Sequence, residues 1–154
     1  MKNLKTLYYT STIQAPPQKV HQIMLAPESY RDWTSFFSPD SDFRGDWSEG
    51  SKGYFTAKDE TGHEVGLIAR IDKNIPGELV TIRHIGILGK DGELYEGEQV
   101  DGWKNAYEIY RFREIEGGNT YLLCSVEVDS EEYEKMFEDI WPKSLARLKE
   151  LCEK

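Results

Sequence analysis

Glu108 stands between Tyr107 and Tyr110 in one strand-like run, and His84 lies among Ile82, Ile85 and Gly86 in another. A carboxylate and an imidazole are the groups that general acid–base chemistry uses when a site holds them away from water. Turned inward, Glu108 is a candidate acid or base with Arg83 or Arg111 as its compensating partner, because burial disfavours an unpaired charge. Turned outward, it makes a cross-strand ion pair. His84 has two readings as well: a neutral imidazole bonded to a ligand carbonyl or hydroxyl, or a histidine satisfied within its own sheet.

The other motifs exclude more than they propose. His21, His63 and His84 are the three histidines, and they fall on different elements with no His-x-x-x-His or Glu-x-x-His spacing, so no metal is expected. Asp91, Glu93, Glu96, Glu98 and Asp101, interspersed with Gly92, Gly97 and Gly102, read as a flexible solvated turn; their spacing is not that of a calcium loop. There is no Ser-His-Asp order, nucleophile elbow or phosphate-cradling glycine loop. No cofactor is expected.

The most suggestive set is aromatic: Trp33, Phe36, Phe37, Tyr54, Trp103, Tyr110, Phe137 and Trp141, with Leu67 and Ile82 as apolar companions. Rings converging from helices and a sheet can line a ligand pocket or fill a core, and both readings stay open.

These residues must be positioned by an α+β arrangement. Lys5 to Gln14 reads as a first strand with Leu7, Tyr9, Ser11 and Ile13 on one face. Pro17 opens a short helix carrying Val20, Ile23 and Met24, Pro27 stops it, and a second helical piece covers Glu28 to Trp33. Period-two segments follow at Asp42 to Trp47, Gly53 to Lys58, His63 to Lys73, Glu78 to Leu88, Gly102 to Glu114 and Thr120 to Val128, giving seven strands. Val65, Leu67, Ala69 and Ile71 share one face of the fourth, and Leu122, Cys124, Val126 and Val128 one face of the last. In the fifth, two alternations compete: Val80, Ile82, His84 and Leu88 against Leu79, Thr81, Ile85 and Ile87. A long amphipathic helix closes the chain, with Asp129 as its expected N-cap and Tyr133, Phe137, Ile140, Trp141, Leu145, Leu148 and Leu151 as its stripe. Pro142 is expected to bend it. A helix after many strands suggests a curved sheet wrapped around it.

Several segments together sharpen that picture: Ile13 to Val20 with Pro27 and Trp33, Gly45 to Ser51, His84 to Gly86, Trp103 with Tyr107 to Phe112, and Trp141 to Lys149. As a set, over nearly the whole chain, they resemble the START and birch-pollen-allergen superfamily (SRPBCC), and within it the bacterial branch named after activators of the heat shock protein 90 ATPase. The resemblance implies a helix-grip fold and a cavity between sheet and C-terminal helix for an apolar or aromatic ligand. A cyclase- or dehydratase-like activity in the same cavity, or a chaperone contact, are the alternatives it implies.

Composition bounds the partners. The 154 residues carry 19 basic against 28 acidic side chains, a net charge of −9, and no basic run that would track nucleic acid or an anionic membrane. Cys124 and Cys152 show no ligand spacing and read as reduced thiols. No apolar run suits a signal peptide or a membrane span. One cytoplasmic domain, residues 1–154, is the expectation.

Overall fold

Prolines punctuate the start of the fold. The computed structural model describes residues 3–154; Met1 and Lys2, where the expected domain begins, lie outside them. Strand β1 (Lys5–Ile13) buries Leu7 and Ile13 by simple alternation. Helices α1 (Pro17–Leu25) and α2 (Pro27–Trp33) each start on a proline, whose missing N–H is one the first turn would leave unpaired. Ala26 between them is extended, as a residue before proline prefers, so one helical stretch becomes two.

The sheet follows as β2 (Asp42–Arg44), β3 (Lys52–Lys58), β4 (Glu64–Ile75), β5 (Leu79–Gly89) and β6 (Gly92–Leu94). After a four-residue helix α3 (Glu98–Asp101) come β7 (Ala106–Ile115) and β8 (Asn119–Val128). All pairs are antiparallel, in the order β1-β8-β7-β5-β4-β3-β2, with β6 paired to β5. The sheet is therefore open and, among the described residues, has eight strands rather than the expected seven. The acidic stretch read as a turn supplies β6 and α3, and the strand expected from Gly102 begins at Ala106.

Gly86 explains how β6 fits: a Cβ there would meet the Leu94 carbonyl oxygen at 2.6 Å and the Tyr95 ring at 2.9 Å. Only glycine lets the β6 segment lie that close. A clip on the same outer face holds it. Tyr54 donates to Glu93 at 2.6 Å, and Lys52 reaches Glu93 at 3.2 Å and the Tyr95 hydroxyl at 2.7 Å. Hydrogen bonds from Tyr54, Tyr95 and Lys52 hold the Glu93 carboxyl at about 2.

A bulge resolves the ambiguous facing of β5. Ile68 pairs with Gly86 but Ala69 pairs with His84, leaving Ile85 unmatched. Val80, Ile82 and His84 face the helices before the bulge and Ile87 does so after it, so each competing alternation holds for part of the strand.

Helix α4 (Glu131–Cys152) runs continuously through Pro142. Its N-cap is Ser130, one residue after the expected Asp129; the Ser130 side chain accepts from the Tyr133 N–H at 3.3 Å. The helix packs on β1, α1 and α2. Arg147 anchors it through a two-pronged bond to Asp32 on α2, at 2.8 and 2.9 Å. Lys149 donates to the Thr12 carbonyl at 2.6 Å, while Glu153 accepts from the Gln14 N–H at 2.7 Å, which ties the last turn to the end of β1. Among the described residues, no helix is long and apolar enough to cross a membrane.

Candidate functional site

Strand register builds the polar part of the site. Glu108 on β7 sits opposite Ile82 on β5 and Val126 on β8, and Tyr110 sits opposite Val80 and Cys124. Because every residue directly opposite is apolar, Glu108 finds its partners two positions away, at Tyr110 along its own strand and at His84 diagonally across on β5. The Tyr110 hydroxyl donates to Glu108 Oε2, and His84 Nε2 lies 3.2 Å from Glu108 Oε1. The side chains of His84 and Glu108 are only 12% and 20% exposed. This corrects the outer-face reading of Glu108. Arg83, offered as its compensating partner, binds Asp72 instead, at 2.9 Å.

The charge of Glu108 is felt by its neighbours. Burial first, and that carboxylate second, push the hydroxyls of Tyr110 and Tyr30 and the thiol of Cys124 well above their ordinary values. All three stay protonated at neutral pH, and Tyr110 serves as a donor. His84 Nδ1 is buried without a partner among the described residues, as is the indole nitrogen of Trp141.

A cavity of about 490 Å³ opens on this polar chain. Trp33 and Phe37 wall it from α2 and the turn after it, and Phe137 and Trp141 from α4. Leu67, His84, Glu108 and Tyr110 come from the sheet, and Trp103 from the turn after α3, where its indole N–H is spent on the Gln99 carbonyl at 2.8 Å. Trp141 is the hub of the rings: its centroid is 5.2 Å from Phe37, 6.2 Å from Tyr110, 6.4 Å from Trp33 and 6.4 Å from Phe137, and Tyr9 stacks on it from β1 at 5.6 Å.

Three candidates lie elsewhere. Phe36 is 45% exposed, because consecutive residues of the turn after α2 diverge and Phe37 takes the inward direction. Tyr54 is on the outer face, pairing with Ile68 and bound to Glu93. Ile82 is fully buried in the core behind the cavity floor.

Other lining residues escaped the sequence reading. Tyr30 is one helical turn before Trp33, a spacing that signals a shared face. Phe55 lies two residues beyond Gly53 on β3, where the Phe43 ring comes so close that a Cβ on Gly53 would be 2.5 Å from it. Tyr107, Glu127 and Asp129 line the cavity where β7 and β8 part: past the Glu108–Val126 pair, the Glu127 side chain takes the Tyr107 N–H at 2.7 Å in place of a ladder bond. Alternation gives no sign of such a splay. Among the described residues, no three of His, Cys, Asp and Glu come together as a metal site.

No family model and no curated protein matches this chain. Solved structures do. A protein of Mesorhizobium loti aligns with a TM-score of 0.70 at 14% identity, over 96% of both chains. The Aha1 dimer from Colwellia psychrerythraea aligns at 0.68 and 17%, over 97% of this chain and 96% of that one. An AHSA1-like protein from Aeromonas hydrophila aligns at 0.66 and 13%, over 95% and 90%. At such identities the likeness shows the fold: an open antiparallel sheet gripping a long C-terminal helix, as the sequence resemblance implied.

Proposed function

We propose that this helix-grip domain binds a small apolar or aromatic molecule in the cavity between the sheet and the first half of α4. The observation that carries the reading is a 490 Å³ space walled by aromatic rings around one buried polar chain, His84–Glu108–Tyr110. Ligand pockets typically measure about 300–1,000 Å³ and combine apolar walls with a few convergent polar groups. The rings supply burial, and the polar chain fixes orientation. A library of lipids and small aromatic compounds screened by amide chemical shifts tests this: changes should centre on Trp103, Phe137 and Trp141. Silence at these positions across the library overturns it.

The inward-facing Glu108 also favours a second reading, proton transfer to a bound reactive molecule in a cyclase- or dehydratase-like reaction. Mass analysis of a ligand recovered after incubation separates the two. An unchanged mass and structure supports binding alone, whereas cyclised or dehydrated material supports catalysis. Chaperone contact rests on the likeness of fold and has no further observation behind it.

A further inference from the structure

We infer that the cavity selects molecules carrying a positively charged nitrogen on an apolar or aromatic body, and discriminates against carboxylates. The inference rests on the ligand-binding reading and adds the charge class. Its basis is the composition of the wall: among the described residues, three carboxylates line the cavity, Glu108, Glu127 and Asp129, and no lysine or arginine does.

The carboxylates come from two parts of the wall. Glu127 and Asp129 belong to the end of β8 and the turn into α4, and Glu108 belongs to the middle of the sheet. Glu108 receives a hydrogen bond from Tyr110 and meets His84 on its other oxygen. Around these two contacts the wall is mostly apolar, and no lysine or arginine among the described lining residues reaches the carboxylate. A buried charge of this kind is stabilised by an opposite charge beside it. An ammonium head supplies that charge, and the surrounding rings add cation–π attraction. A carboxylate ligand would find three carboxylates and, among the described lining residues, no lysine or arginine to pair with. The overall charge of −9 draws cations toward the mouth before contact.

A second observation is independent of charge. Trp141 is 3% exposed, lines the same cavity, and has no acceptor for its indole N–H among the described residues. Buried indole N–H groups are normally paired, so a ligand offering an oxygen acceptor close to its cationic nitrogen meets both requirements.

The test uses three probes with one body and different heads, phenylbutylamine, phenylbutanol and phenylbutanoate, titrated by amide and indole N–H chemical shifts at neutral pH. The amine should bind about tenfold tighter than the alcohol, with the carboxylate weaker again. In Glu108→Gln, an isosteric change, the amine should lose most of its advantage over the alcohol. If that variant does not fold, salt dependence of the native chain serves instead: raising salt about tenfold should weaken the amine and leave the alcohol nearly unaffected. A carboxylate that binds the cavity as well as the amine, or better, overturns the charge inference and leaves the binding proposal standing. If no probe shifts the cavity residues, the charge inference falls; the binding proposal falls with it only if the wider library is silent too.

Discussion

The two halves of α4 present the same apolar stripe to very different surroundings. From Ser144 to Cys152 the helix is packed against β1, α1 and α2, with Leu145, Leu148 and Cys152 buried, and side chains tie it to Asp32 and to the end of β1. In the first half, Tyr133 and Phe137 line the cavity: Phe137 is half-buried and Tyr133 is 52% exposed. One helix thus serves as core at one end and as wall at the other. Trp141 is the boundary, buried yet lining the space. Burial alone cannot say which residues of a stripe build stability and which face a ligand; what lies opposite decides.

Substitutions on either side of that boundary should separate the two roles. Leu148→Ala, at a fully buried position, should cost about 2–5 kcal/mol in denaturant unfolding, at the upper end if the closed half cannot collapse onto the void. A comparable loss from Phe137→Ala would break the contrast between the halves. Ligand should act from the opposite side: a bound molecule at one hundred times its Kd adds about 2.7 kcal/mol. Hydrogen exchange should then slow in the first half of α4 more than in the second. Phe137→Ala, with less burial to lose, should cost about 1 kcal/mol of stability while weakening ligand binding about tenfold. Calorimetry and titration on the same sample check both numbers.

The smallest expected effect concerns pH. His21 on α1 accepts from the Gly77 N–H at 3.2 Å and meets Asn74 Oδ1 at 2.7 Å, so its neutral form suits both partners. Phe112 packs against the ring at a centroid distance of 5.0 Å. Burial lowers its pKa below the ordinary 6.5. The unfolded chain then binds the proton more readily than the folded one. The contribution is therefore complete above pH 6.5 and is lost as pH falls through the folded value. His21→Gln should flatten the stability profile over that window in urea titrations, while ligand-induced shifts at Trp103 remain. A profile unchanged by the substitution would remove His21 from the closed end's pH response.

Much of the fold could be read locally. Paired prolines mark α1 and α2, alternation marks β1 and β8, and the stripe from Tyr133 to Leu151 marks α4. Nine of the twelve candidate residues line the cavity; those on α2, α4 and the strands follow helical or alternating spacing, while Phe37 and Trp103 reach it from turns. Failures cluster where regularity breaks. The Ile85 bulge splits the facing of β5, Gly86 admits a strand that an acidic loop conceals, and the parting of β7 and β8 turns Glu127 toward the space.

What the sequence determines by itself is periodic: element type, order and the apolar face of each, since these follow from side-chain spacing within a few turns or a few strand residues. What only the tertiary structure decides is which facing residues meet and which leave a gap. Glu108 shows the difference. Its neighbours in sequence allow either face, and the pairing with Ile82 and Val126 turns it inward, where the packing of α4 leaves space above it. Register and helix placement are properties of the whole sheet, and no local stretch of residues contains them.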